Sequence, residues 1–266
     1  MLNESNYFSP EMSLRYCGSS QFKDFTGIRG ITGCEAKALA KLTGEWKEEP
    51  SAAMLFGSFV DAHFEGTLDI FKAQHNELFK KTGDRGLLSQ YEHAYRVIER
   101  IERDDLFMQF MAGSKQTIMT ANVFGTDWKI KIDSYHHDKA IVDLKVMKSI
   151  KDKFYLKDQG YVNFIENYGY DFQAAIYQMV VEANTGKQLP FYIAAASKES
   201  EPDIEIIQIE QSKLNEAKIM IEAYVPRIIQ LKNGEVEPIR CETCDYCRST
   251  KVLEAPIWSS ELMIGL

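Results

Sequence analysis

Across residues 19–43, apolar and polar positions form two short helical stretches separated by the turn-forming Thr26-Gly27 and Arg29-Gly30. Ser19 or Ser20 is placed to cap the first of them. Helical spacing resumes over 52–65 and 87–111. The period then shortens to two. Segments 116–124, 127–135 and 140–147 are rich in β-branched and aromatic residues, with turn residues at Gly125-Thr126 and His137-Asp138, which predicts an antiparallel meander. Residues 170–184 return to helical spacing, 191–196 and 204–210 read as two further strands, and 212–232 as a long helix. Asn233-Gly234 closes that helix, and Pro226 is expected to kink it. This order predicts an α/β fold with a mixed central sheet flanked by helices. No repeat or linker tract divides the chain, so 1–266 is expected to be one domain: a helical region at 19–112, a sheet-bearing core at 113–233 and a tail at 234–266.

Composition narrows the class. With 45% hydrophobic and 26% charged residues among 266, the chain is an ordinary globular one. No apolar run reaches the roughly 18–20 residues that span a bilayer, and the first residues lack the pattern of a secretory leader, so a cytoplasmic location with no membrane partner is expected. A net charge of −8 argues against a surface coated with phosphate-binding groups. It leaves room for a local groove, because eight lysines face five aspartates between Lys129 and Asp158. An ordinary solvated face would look the same.

The segment 131–149 carries the most chemistry. Side chains at i and i+2 share one face of a strand, so Asp143 and Lys145 project together while Val142 and Leu144 turn to a core. Pairing 130–135 with 141–146 around Asp138 sets Asp133 opposite Asp143, with Cβ atoms about 5 Å apart. Carboxylates that close repel unless a cation lies between them, and Mg²⁺ favours such oxygen ligands. A lysine alongside supplies a point charge for a phosphate. These are the parts of metal-assisted phosphodiester hydrolysis, although an exposed hairpin of alternating charge would also contain D-x-K.

Three further segments extend this pattern. Asp133, then Asp143-Leu144-Lys145, then Gln173-Ala174-Ala175-Ile176-Tyr177 resembles the D…(D/E)-x-K…Q-x-x-x-Y series of RecB-type nucleases in the PD-(D/E)XK superfamily. Upstream, Gly57-Ser58-Phe59-Val60-Asp61 resembles the helical G-x-x-[apolar]-[His/Asp] motif, and Ser19 to Lys23 the opening S-x-x-[Leu/Phe] segment. The likeness runs from about residue 19 to 248 and is nearest to RecE-like phage and prophage exonucleases, which digest duplex DNA from an end and work with a strand-annealing protein. It implies that Asp61, Asp133, Asp143 and the Leu144 carbonyl bind Mg²⁺ or Mn²⁺. It also implies that Lys145 is catalytic, and that Gln173 and Tyr177 brace the lysine and the scissile phosphate. Residue 132 is Ile, so the proline of the motif is absent. Asp61 stands where many relatives have His, which leaves His63 as a competitor. Residues 61 and 63 face about 200° apart on a helix, so only one can reach the metal. The acidic balance with a locally basic stretch implies a confined groove for linear duplex ends, with Lys148, Lys151 and Lys153 as DNA contacts, in a subunit ring as in related exonucleases.

Cys241, Cys244 and Cys247 have C-x₂-C-x₂-C spacing, which lets three thiolates converge on one centre. In a cytoplasmic chain a metal is the first explanation, and the fourth ligand must come from elsewhere. Some RecB-type nucleases close a [4Fe–4S] cluster with one cysteine from the N-terminal helices, and Cys34 lies where that cysteine is expected; Cys17 is the weaker candidate. Zinc, or no metal, are the alternatives. No G-x-S-x-G, Walker A, G-x-G-x-x-G or H-E-x-x-H pattern occurs, so triad hydrolases, NTPases, dinucleotide enzymes and zincins have no support. Two other readings stay open: a DNA-end-binding module that keeps the fold without catalysis, and an iron–sulfur or zinc protein with no nucleic-acid role.

Overall fold

The alternating segments become consecutive strands in the computed structural model, which describes residues 2–27, 33–82, 86–157, 159–253 and 255–260. Helices α1 (Pro10–Arg15), α2 (Ser19–Thr26), α3 (Glu35–Thr43), α4 (Ala52–Glu65), α5 (Leu68–Gln74), α6 (Ser89–Glu102) and α7 (Asp105–Phe110) come first. Strands β1 (Ser114–Val123), β2 (Thr126–His136) and β3 (Ala140–Met147) follow, then a short hairpin of β4 (Phe154–Leu156) and β5 (Gly160–Val162). Helices α8 (Phe164–Asn167) and α9 (Tyr170–Thr185), strands β6 (Phe191–Ser197) and β7 (Ile204–Gln208), and helices α10 (Gln211–Lys232) and α11 (Asp245–Ser249) complete the order.

The central sheet runs β1-β2-β3-β6-β7; β3 and β6 are parallel and the other pairs antiparallel. Helices cover both of its faces. On one, α2, α3, α8, α9 and α10 bury Trp128, Ile130, Ile132, Ile141 and Ile193. On the other, α4, α6 and α7 bury Val142, Leu144, Ala194 and Ala196. Strand β6 therefore reads as a continuous apolar run, as expected for a strand buried on both faces. The fold is the predicted α/β class with a mixed sheet between helices.

The differences are local. The stretch 87–111 is two helices, because the Asp104 side chain accepts from the Phe107 N–H at 2.9 Å and starts α7 afresh. Gly18, not Ser19 or Ser20, occupies the N-cap of α2, with no side-chain bond there. The β1–β2 turn is Phe124-Gly125, one residue earlier than predicted, both at positive φ (56° and 79°) as a type I′ hairpin requires. Helix α10 runs through Pro226 as one element. Arg29-Gly30 of the predicted turn, and Asp158 of the charged stretch, lie outside the described residues.

Strand β2 changes partner along its length, and this shapes the site. Its end pairs with β3 only from Ser134–Val142 to His136–Ala140. Nearer its start, the same edge takes up Cys17: the Cys17 N–H donates to Asp127 O at 2.7 Å and the Lys129 N–H to Cys17 O at 2.9 Å. Between these two partners the edge of β2 is open, and a cleft forms in the fork.

Candidate active site

Asp133 is the first residue of β2 beyond the β3 ladder. Extending the register would set it opposite Asp143. Instead its side chain takes over the ladder's role, and Oδ2 accepts from the Leu144 N–H at 2.9 Å. Asp143 is 2% exposed and is held from two sides: Gln173 Nε2 of α9 donates to Oδ1 at 2.7 Å, and the Lys145 ammonium pairs with Oδ2. Lys145 Nζ also lies 3.4 Å from the Leu144 carbonyl oxygen. Asp61, from α4, lines the same cleft of about 320 Å³, together with Asp133, Asp143, Lys145, Gln173 and Tyr177. His63 turns away and pairs with Glu102 at 2.8 Å on α6.

Gln173 holds Asp143, not Lys145, and the Tyr177 hydroxyl donates to the Lys131 carbonyl of β2 at 2.9 Å. One turn of α9 thus fixes both sides of the fork. Lys148, Lys151 and Lys153 are exposed on the segment after β3, and Lys151 pairs with Asp203 at 3.0 Å.

Crowded carboxylates set the electrostatics. Burial, then the charge of Asp143, pushes Asp133 up to about 7. Burial and the neighbouring Asp133 carry Asp61 well above the usual carboxylate range. For Lys145, burial favours the neutral amine, but Asp143 and Asp133 outweigh it and raise its pKa, so the group is an ammonium. It cannot act as a base; it can donate to a phosphate and offset its charge.

Gln116 and Glu65 of this site carry no sequence signal, and Lys23 is marked only as the end of the Ser19 to Lys23 segment. Gln116 of β1 sits across from Asp133, between the paired Lys115–Ser134 and Thr117–Ile132. Its φ of 48° is left-handed, and its Oε1 is buried without a hydrogen-bond partner. Gln116 also lines a cavity of about 10 Å³, room for one water-sized sphere, with Asp61, Glu65 and Asp133. Glu65 lies one helical turn beyond Asp61 on α4 and faces that same cavity. Lys23 of α2 donates to the Tyr168 carbonyl at 3.3 Å and lies over the Tyr170 ring, which Lys145 also approaches. Burial, then the Lys145 charge, brings Lys23 down to about 8.

All the donors around Asp61, Asp133 and Asp143 are hard oxygens, and mutual repulsion favours a cation among them, so the set suits Mg²⁺ or Mn²⁺ chemically. The described residues include one group of three or more His, Cys, Asp or Glu whose ligating atoms lie within 4.8 Å of one another: Cys34, Cys241, Cys244 and Cys247. The carboxylates are spread more widely, one tied to a backbone amide and another to Gln173 and Lys145.

The four cysteines could hold a metal. Cys34 Sγ lies 3.5 Å from Cys247 Sγ, although 213 residues separate them, and Cys241 Sγ is 3.9 Å from Cys247 Sγ. Backbone N–H groups of Lys37, Cys244 and Cys247 donate to the sulfurs of Cys34, Cys241 and Cys244. Burial would raise the Cys241 thiol, but the hydroxyl and N–H of Thr243 and the N–H of Cys244 outweigh it and bring it to about 6. Cys17 stands apart, its thiol pushed up to about 12 by burial.

The family model for a PDDEXK-like domain of unknown function matches residues 18–250. The chain belongs to the PDDEXK-like family. A crystal structure from Eubacterium rectale, provisionally named an exonuclease, is 49% identical, with a TM-score of 0.97 over 100% of this chain and 99% of that one. The crystal structure of SSO0001 is 13% identical, covering 84% of this chain and 95% of that one with a TM-score of 0.33, too little to bear on fold or chemistry. No curated protein matches. In PDDEXK-like terms, the sheet carries Asp133 and Asp143-x-Lys145 on adjacent strands, and α4 and α9 supply Asp61 and Gln173 from opposite sides.

Proposed function

We propose that this PDDEXK-like protein is a Mg²⁺- or Mn²⁺-dependent DNA exonuclease that hydrolyses phosphodiester bonds from the ends of linear duplex, in phage or prophage recombination beside a strand-annealing protein. The observation that carries this reading is the fork of β2 and β3, where Asp133, Asp143 and Lys145 meet Asp61 and the Gln173 brace. The provisional name of the Eubacterium rectale protein supports a nuclease. Asp61, Asp133, Asp143 and the Leu144 carbonyl would hold the cation, which supplies positive charge to the scissile phosphate when bound. Gln116 Oε1, a buried acceptor without a donor, is a further neutral oxygen for that cation or its water. Lys145 donates to the phosphate and stabilises the charge that develops as water attacks. Gln173 keeps Asp143 in place, and Tyr177 keeps the Lys131 segment of β2 against α9. Lys148, Lys151 and Lys153 contact the DNA backbone.

The test is digestion of linear and covalently closed duplex with Mg²⁺, end-labelled on each strand in turn. Loss of label from linear DNA with the circle intact is the expected result. Nicking of circles at the same rate makes the enzyme an endonuclease, and no Mg²⁺-dependent loss from either substrate points to a binding module.

Cation binding must release protons, because Asp133 titrates near 7 and Asp61 above its ordinary range. Affinity therefore rises with pH. Calorimetric titration with Mn²⁺ is expected to give binding at least about tenfold weaker at pH 6 than at pH 8, since each proton released costs about a decade of affinity per pH unit below the pKa of its group. Gln116→Ala should weaken binding at both pH values by a similar factor, since an amide does not titrate. A pH-independent affinity would remove the carboxylates from the site.

For the cysteines the resemblance favours [4Fe–4S]. The sulfur spacing favours a second reading, zinc: a tetrahedral ion with Zn–S near 2.3 Å has sulfurs about 3.8 Å apart, close to the 3.5 and 3.9 Å found here. A cubane would need them to spread. Brown protein with iron and sulfide identifies the cluster, and colourless protein with one zinc per chain the single ion.

A further inference from the structure

The hairpin between β3 and α8 has two unlike faces. Inward, Val162 is buried and Phe154 packs on Tyr168 with ring centroids 5.4 Å apart. Tyr168 meets Tyr170 at 5.9 Å, and Lys145 Nζ lies 5.3 Å from the Tyr170 ring centroid. An unbroken row of side chains therefore joins the hairpin to Lys145. Outward, Tyr155 and Tyr161 are cross-strand partners with rings 5.5 Å apart, and they are 66% and 74% exposed. Lys148, Lys151, Lys153 and Lys157 are exposed on the same stretch of chain.

Two strands of three residues each gain little from holding two large rings in water. We propose that the Tyr155–Tyr161 pair is a stacking platform for unpaired bases at the end of a DNA strand, with the exposed Lys153 and Lys157 that flank Tyr155 in sequence available to its phosphates; this rests on the nuclease reading above. Cationic side chains interleaved with exposed aromatics form the surface that binds single strands, because every unpaired base offers a ring face. Bases inside a duplex are stacked on each other and offer only their edges. A second copy of the chain is the weaker occupant, since a two-fold contact through Tyr155 and Tyr161 would bring the flanking Lys153 and Lys157 of the two copies near one another. The site would therefore prefer ends with an overhang, or ends that fray, over blunt ends.

The test is fluorescence anisotropy with the full chain in Ca²⁺, using blunt duplex and duplex with a six-nucleotide overhang. The double variant Tyr155→Ala, Tyr161→Ala should bind the overhang duplex about 10–100-fold more weakly, and blunt duplex within about threefold of the parent. Tyr155→Phe with Tyr161→Phe should restore the overhang preference, because stacking needs the ring and not the hydroxyl. Hydrolysis of bis(p-nitrophenyl) phosphate, too small to reach the hairpin, should be equal in all three proteins. Equal losses on blunt and overhang DNA, or no loss on either, would overturn the platform. So would unchanged DNA affinity with a smaller oligomer by light scattering, which assigns the face to a second copy. If the parent protein binds neither DNA nor cleaves the small ester, the nuclease reading has failed instead.

Discussion

Lys145→Ala should cut DNA cleavage by about 10²–10³-fold, the usual cost of losing one preorganised donor to a developing anion, while binding of Mn²⁺ persists or tightens. The ammonium now pairs with Asp143 and offsets the charge of Asp133. Without it, the cleft carries more uncompensated negative charge, and an added cation gains. Asp143→Asn should behave differently. It removes one oxygen donor and the partner of the half-buried Lys145, so cation affinity and cleavage fall together. Digestion of end-labelled linear duplex, with calorimetric titration of each variant, separates the two. Near-parental cleavage by Lys145→Ala, in protein free of contaminating nuclease, would end the assignment.

Replacing Cys34 or Cys247 by Ser should lower the melting temperature by about 10 °C or more and release the bound metal, with cleavage at 20 °C largely retained. Thiolate–metal binding is folding energy, on the order of 10 kcal/mol for structural zinc, and each kcal/mol is worth about 2–4 °C in a chain of this size. The cysteines join α3 to the segment bearing α11, outside the fork of β2 and β3. A second clasp lies beside them. Arg227 of α10 donates to both carboxylate oxygens of Glu35, and the Ile239 N–H donates to one of them. That clasp should keep the segment docked in part, so the loss falls short of unfolding at 20 °C. Cys17→Ala is the control, with a packing loss at Trp128 and the metal retained. Calorimetric melting with metal analysis of the same samples gives the result, and an unchanged melting temperature for Cys34→Ser would show that the four sulfurs carry no staple.

The sheet was legible because alternation and turns act locally. A one-residue slip of β3 would turn Asp143 and Lys145 into the core beneath α4, α6 and α7 and send Val142 and Leu144 to the opposite face, so the register follows from the alternation of charged and apolar positions together with the turn at Asp138. The short elements were not. Strands β4 and β5 have three residues each, too few for a period, and helix α5 buries no residue. The break between α6 and α7 comes from a single capping side chain inside a continuous apolar pattern. Gln116 was invisible for another reason. A glutamine in a strand is ordinary by type, and its left-handed φ and unmatched oxygen exist only once β1 lies against β2. The segment ending at Lys23 stood out only by resemblance, and its place at the site exists once the Cys17 bridge holds α2 beside the fork. The cysteine spacing carried the convergence of the C-terminal three, whereas the place of Cys34 came from resemblance.

The contact between Cys34 and Cys247 also orders events during synthesis. Domains begin to fold while the chain is still emerging, and the sheet, both its helical layers and the β2–β3 fork lie within residues made before Cys241. The protein can therefore assemble its cleft first and bring its four sulfurs together last. Until then Cys34 waits beside α3 as a lone thiol. A chain halted at residue 240 and carried clear of the ribosome on a linker should already resist protease across its sheet and both helical layers, and only the Cys34 end of α3 should tighten in a late step once Cys241, Cys244 and Cys247 emerge.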